Sequence, residues 1–404
     1  MSDNKNIINC IIDLSNMLFR SIFVLGLGSG KPLTFNTQEE LDQLMRKLST
    51  DISYILRIIN PTRVILAMDE SSWRKGISIE ENNGYKGNRT KNDSINWDNI
   101  YSLIDEFAGL MKNSGIISTK LKGAEGDDIC ALWTYELLYN QHQHVVLVTG
   151  DEDIRQLVRA QEYDTNKYNF VTVYNPFAQG KGGTRKLFIP EHFLEWIETE
   201  DEEIDIWNFS TAIDPIKEDF KKIMTSDKLK VEYVDGAEIA LRKVFCGDSG
   251  DNIPAIYTWL KDSPDGKDPK ECRITHSPYE KIINKIKLDP SEKITCDVLL
   301  NRSKEILKEM MVFSKETPPF NIDKRIQRQI SLVVLDPAQF PESIVDEFNI
   351  IKAIDMAKPR VNVNDINMHK LLANTKYHDA VLKKQKATEM DMFKAHDKIT
   401  RGLF

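Results

Sequence analysis

Short apolar runs that end in an acid recur along the first half of the chain. Residues 7–14, Ile-Ile-Asn-Cys-Ile-Ile-Asp-Leu, read as a buried strand closing on Asp13. Ser15 can cap a helix running to about Phe23, and a Gly- and Pro-containing loop is expected over 26–35. Leu41, Leu44, Leu48, Ile52, Ile55 and Ile59 recur at helical spacing over 38–59. Arg63–Met68 is a second strand, closing on Asp69. A helix over 95–113, a β-rich run over Gly115–Leu121 and a helix over 125–140 follow. Val145–Thr149 is a third strong strand, closing on Gly150-Asp151, with a helix near 153–160 and a strand at Phe170–Tyr174. This strand–helix alternation predicts an α/β fold with a doubly wound, mostly parallel sheet. From about 175 to 235 the pattern loosens, with a basic segment at 179–186 and an acidic one at 198–205, and an insertion is expected at about 179–230. From 236 the chain reads as mainly helical, with a loop over 261–278 and a polar, Lys-rich end over 376–404.

The 404 residues suit two or three domains. With 41% hydrophobic and 29% charged residues the balance is that of a soluble globular protein. Five widely spaced cysteines form no CxxC, so a zinc ribbon or disulfide framework is not expected, and a reducing, cytoplasmic setting fits. There is no apolar run near the ~18 residues of a membrane span and no signal-peptide pattern at the start. The net charge of −8 excludes a basic coat over the whole molecule. A polyanion would be met by local basic patches or by metal ions on carboxylates.

The acids are placed for the second route. Asp13, Asp69 and Asp151 each follow the C-terminal end of a buried strand, the edge where open α/β sheets bind ligands. Like charges gathered there are costly unless a cation compensates them. Glu125, Asp127 and Asp128 open a helix, where they either complement its dipole or join the same cluster. Asp151 and Asp153 flank a tight turn. Asp248 and Asp251, in Cys246-Gly-Asp-Ser-Gly-Asp-Asn-Ile-Pro254, stand three apart, and Gly247 and Gly250 allow close approach to a phosphate. For both pairs an ordinary Asx-rich turn is the plain alternative. Oxygen-only ligands favour Mg²⁺ or Mn²⁺ over zinc. Ser72-Trp73-Arg74-Lys75 and Tyr85-Lys86-Gly-Asn-Arg89 are basic and aromatic, suited to phosphate and unpaired bases, or else form a solvated loop. Two features are set aside. Gly26–Lys31 has the wrong spacing for a phosphate loop, and His142 and His144 read as solvent-facing or dipole partners.

The order of these motifs resembles the 5′-nuclease (flap endonuclease) superfamily over about residues 7–350, most closely the T-even phage ribonuclease H type. Gly126 stands where that family usually has Ala, and Ala255–Leu260 replaces its Gly-Ile-Gly-x-Lys-Thr-Ala. The resemblance implies a PIN/5′-nuclease-like catalytic domain over 1–235 with an arch at about 72–95. It also implies a helical DNA-binding part with a helix–three-turn–helix over 236–350, and a helical C-terminal tail over 351–404. It implies two Mg²⁺ ions, with Mn²⁺ able to substitute, held by Asp13, Asp69, Glu125, Asp127, Asp128, Asp151, Asp153, Asp248 and Asp251. Lys86 and Arg89 would act on the scissile phosphate, and Trp73, Arg74, Lys75, Tyr85, Gly247, Gly250 and Asn252 would contact nucleic acid. The implied activity is 5′→3′ removal of RNA primers and 5′ DNA flaps in replication, on flapped duplex or RNA–DNA hybrid, in a phage-infected bacterial cell. A non-catalytic branched-DNA scaffold is the alternative, and a PIN-type single-strand ribonuclease is disfavoured by the 246–254 segment. The end, Ile399–Phe404, could dock on a sliding clamp or single-strand-binding protein, against the alternative of a frayed tail.

Overall fold

The computed structural model describes residues 8–29, 33–79, 84–89, 92–164, 167–179, 184–190, 229–256, 258–261, 270–273, 298, 301–306, 322–357, 366, 371–372 and 375–377. Most of the expected insertion at 179–230, most of the tail over 351–404 and the proposed docking end at 399–404 lie outside the described residues.

The apolar runs form the centre of one sheet. β1 (Ile8–Asp13) lies between β2 (Arg63–Met68) and β4 (His144–Val148), all parallel, with β3 (Ile117–Lys120) beyond β2. β6 (Lys167–Gln179) continues parallel to β4. β7 (Thr184–Pro190) turns back antiparallel, and β8 (Leu229–Val234) pairs parallel to it. The sheet is therefore mostly parallel, as the alternation predicts. Strand alternation sends Cys10 and Ile12 to one face and Ile11 to the other. The first face is covered by α1 (Leu14–Ser29), α2 (Gln38–Ile59) and α3 (Trp97–Asn113). The second is covered by α4 (Gly126–Tyr135) and part of α7 (Glu342–Met356). Trp133 on α4 is fully buried, edge-on to Phe348 of α7 at 5.0 Å. α2 starts at a capping box between Thr37 and Glu40.

Three expectations change. α1 continues to Ser29, so the loop expected from 26 begins later. The helix expected at 153–160 is a single 3-10 turn, Asp153–Leu157, followed by β5 (Arg159–Asp164), which pairs antiparallel with β6. β5 is polar because it is an edge strand, so its sequence carries no apolar signal. The loosened 175–235 stretch holds sheet too, in the long β6 and in β7 and β8, which reach the region through pairing rather than through local pattern.

α5 (Gly236–Cys246) begins the helical part, capped by Asp235. A Cβ on Gly236 would stand 2.5 Å from both the Gln156 and Val158 carbonyl oxygens, so only glycine lets the helix start against that turn. Its apolar face packs with Ile326 and Ile330 of α6 (Ile322–Val333) and with Ile306. The turn after α5 is followed by β9 (Thr258–Lys261), paired antiparallel with β10 (Lys270–Arg273), where a loop was expected.

Gln156 ties this part to the sheet. Its side chain is buried, donates to the Val333 carbonyl at 3.0 Å and accepts the Leu335 N–H at 2.9 Å. Gln156→Ala leaves two buried backbone groups unpaired. We expect it to lower unfolding free energy by about 2–4 kcal/mol, read by urea denaturation. A loss below about 0.5 kcal/mol would show that the junction does not depend on this carboxamide.

Candidate metal centre

The C-terminal ends of β1, β2 and β4 and the start of α4 meet at one point. Asp13 is buried, accepting the Asn16 N–H at 2.9 Å and the Thr149 hydroxyl at 3.0 Å. Asp69 accepts the Gly126 N–H. A Cβ on Gly126 would stand 2.9 Å from Asp69 Oδ1 and 3.4 Å from Asp13 Oδ1, so both carboxylates close over this glycine. Burial raises the Asp13 carboxyl to about 7, with Asp69 and Asp151 adding to it. Burial also holds Asp127 well above the usual range, reinforced by Asp151 and Asp13. Asp69 keeps an exposed surface, yet the protein around it raises it as well, Glu125 adding and Lys86 opposing. Asp13, Asp69 and Asp127, with Asp151 beside them, thus share one field that a cation would relieve.

A second group adjoins the first. Single carboxylate oxygens of Asp153, Asp248 and Asp251 lie within 4.8 Å of one another. Lys243 of α5 pairs with both Asp153 and Asp248, the latter at 2.7 Å. Burial outweighs the lysine at Asp153 and lifts it to about 6, whereas at the more open Asp248 the lysine prevails and the carboxyl is lowered. An open cavity of about 730 Å³ runs along this side, lined by Asn16, Asp151, Asp153, Lys243 and Asp248 among others.

Glu125 stands between the groups. Lys86 pairs with it, Ser72 donates to it at 2.8 Å and the Tyr85 hydroxyl at 2.9 Å. Burial raises Glu125, but Lys86 and Arg74 outweigh it and keep the carboxyl below its ordinary value. The 84–89 segment is stapled to the turn after α5. The Lys86 N–H donates to the Asp251 carbonyl at 2.8 Å, Asn88 to the Ser249 carbonyl at 2.9 Å, and Asn252 to the Gly84 carbonyl at 2.9 Å, while Arg89 pairs with Asp251.

Residues 9–186 match the profile of the 5′-3′ exonuclease N-terminal, resolvase-like domain. Over this stretch the chain is similar to the 5′-3′ exonucleases. Among solved structures, the bacteriophage T5 D15 protein co-crystallised with metal ions is similar at 16% identity, covering 86% of this chain and 99% of that one, with a TM-score of 0.41. The T5 D15 flap endonuclease in complex with DNA and metal ions gives 16% identity, the same coverage and a TM-score of 0.42. Human GEN1 in complex with Holliday junction DNA gives 10% identity over 86% and 72% of the two chains, with a TM-score of 0.37. No curated protein matches the chain.

The structure does not bring every residue of the motifs to the acid cluster. Asp128, expected as a ligand, is fully buried and faces away from the acid cluster. It pairs with Arg74 at 2.7 Å and accepts from the Trp73 indole at 3.2 Å and from the Glu125 N–H at 3.1 Å. Arg74 and Trp73, expected on nucleic acid, are therefore parts of an internal ion pair, with the guanidinium 4.8 Å from the indole ring. Arg74 is only 2% exposed. Tyr85 is buried too, its hydroxyl spent on Glu125 and Asp251, so its ring is not open to a base. Lys75 stays exposed. Gly247 adopts a positive φ of 68° at the end of α5, and Gly250 donates to Asp248 at 2.8 Å; both shape the turn. Asn252 serves the staple to Gly84. One residue escaped the motif reading: Lys243 looks like any exposed helix lysine in sequence. His142 and His144 stack on Tyr163 and Phe170, away from the acids.

Proposed function

We propose that the chain is a divalent-metal-dependent 5′→3′ exonuclease and flap endonuclease that hydrolyses phosphodiesters in flapped duplex DNA and RNA–DNA hybrid, with primer and flap removal in replication as its setting. The observation that carries this is the crowding of four carboxylates at one strand edge, with the Asp13 carboxyl raised to about 7 by burial and by Asp69 and Asp151. The donors fit hard cations. They are oxygen only, and the neighbouring Cys130 is buried with its thiol raised by burial and by the same acids, so it is no thiolate ligand. Asp13, Asp69, Asp127 and Asp151 would hold one Mg²⁺ or Mn²⁺, and Asp153, Asp248 and Asp251 a second. Bound there, such ions lower the pKa of a water and offset charge on the attacking and leaving oxygens.

The chain's own groups do the rest. The Gly126 N–H and the Asn16 N–H fix the Asp69 and Asp13 carboxylates. Tyr85 and Ser72 orient Glu125. Lys86, held at a φ of 55° beside the cluster, places an ammonium where a phosphate oxygen gains charge, and Arg89 flanks it. Both must leave their carboxylate partners to reach substrate.

The test is a digestion panel of 5′-labelled nicked, flapped and RNA-primed duplexes. Short 5′ products are expected in Mg²⁺ and Mn²⁺ and none in EDTA. Binding in EDTA without hydrolysis in either ion would overturn the reading in favour of a scaffold.

A further inference from the structure

α1 leaves the acid cluster carrying a guanidinium, Arg20, that no carboxylate among the described residues neutralises. Arg20 follows Asp13 by seven residues, about 10 Å along the helix. It shares a helix face with Asn16, whose side-chain oxygen accepts the Gly150 N–H at 2.9 Å, one residue before Asp151. Phe177, near the end of β6, covers the same glycine; a Cβ there would stand 2.8 Å from its ring. The Arg20 guanidinium lies 5.2 Å from the centre of the Phe177 ring and 5.9 Å from that of Phe23. Its Nε is buried without a hydrogen-bond partner, and among the described residues no carboxylate pairs with it. Elsewhere in the site arginines are matched: Arg74 with Asp128, Arg89 with Asp251, Arg155 with Glu152.

The surface around it is aromatic. Phe19 and Phe23 are 43% and 58% exposed, Trp97 lies 5.9 Å from Phe19, and Tyr101 is 41% exposed beside Trp97. Exposed rings with an arginine among them suit unpaired bases and the phosphates between them. With rings 5.2 and 5.9 Å away and no paired carboxylate among the described residues, the guanidinium keeps N–H groups for a phosphate.

We propose that Arg20, beside the Phe23 and Phe177 rings, binds a backbone phosphate of the unpaired 5′ strand, one other than the phosphate that is cleaved. Arg20 is a positioning residue, and the inference rests on the nuclease reading above. The test uses the full chain with Arg20→Gln and Arg20→Lys, on a flapped duplex and on the same duplex nicked without a flap. Arg20→Gln should raise KM on the flapped substrate about tenfold or more with kcat within about twofold. Equilibrium binding of the labelled flapped duplex in EDTA, followed over 50–200 mM salt, should lose about 0.7 from the slope of log K against log salt. Arg20→Lys should restore the slope and part of the affinity, which a packing role would not do. The nicked duplex should be unaffected. An unchanged slope, or an equal loss on nicked duplex, overturns the proposal. Because binding is read in EDTA, these outcomes stand apart from a failure of the wild type to cleave in Mg²⁺, which would sink the nuclease reading instead.

Discussion

Asp13→Asn should abolish metal-dependent cleavage, by on the order of 10³-fold or more, and at neutral pH should make the metal-free protein more stable. Both effects have one cause. Asp13 is buried among Asp69 and Asp151, and its carboxyl is raised to about 7, whereas in the unfolded chain it titrates near 3.9. A group raised on folding contributes stability that is complete below the unfolded value and is lost as pH climbs through the folded one. In EDTA the wild type should therefore lose stability relative to Asp13→Asn between about pH 4 and pH 7, and the gap should persist above that. The amide keeps an oxygen for the Asn16 N–H, and the Thr149 hydroxyl can turn to accept from its nitrogen. Added Mg²⁺ should stabilise the wild type more than the variant. Thermal melts from pH 4 to 8, with EDTA and with Mg²⁺, measure this. A variant that melts below the wild type at pH 8 in EDTA would show that the clustered acids do not strain one another.

Arg74→Ala should cost about 3–5 kcal/mol of unfolding free energy. The guanidinium is buried, paired with Asp128 at 2.7 Å and reaching Glu125 at 3.4 Å, and stacked by Trp73. Removing it leaves the fully buried Asp128 carboxyl without its guanidinium partner. The double change Arg74→Ala with Asp128→Ala should lose less than the two single losses together, because the second removal relieves the orphaned charge. Urea unfolding of the three variants settles it. Unchanged stability with weakened substrate binding would return Arg74 to the nucleic-acid surface where its neighbours in sequence place it.

The contrast between these two residues shows what could be read in advance. β1, β2 and β4 announce themselves because each is apolar throughout, and Asp13, Asp69 and Asp151 announce the edge because an acid after such a run has few other reasons to be there. Asp153, Asp248 and Asp251 come together across about 95 residues through the glycine-marked turn. Arg74, Trp73 and Asp128 misled because an internal ion pair and a basic, aromatic surface have the same letters; only burial separates them. β5 and β8 were hidden for a related reason, since an edge strand is specified by its neighbour and not by its own polarity pattern. Arg20 lay inside an ordinary helix, and its meaning depends on Phe177, more than 150 residues away.

Lys243 bridging Asp153 and Asp248 has a consequence for the order of ion loading. The outer site already carries a tethered counter-ion, so a divalent ion arriving there displaces an ammonium, and the gain is a difference between two cations. The inner site has no ammonium paired with it among the described residues, Lys86 opposing Asp69 and Asp127 only from its pair with Glu125, so an ion there relieves more of the crowded charge. Titration with a divalent ion should therefore be sequential, a tight inner event preceding a weaker outer one.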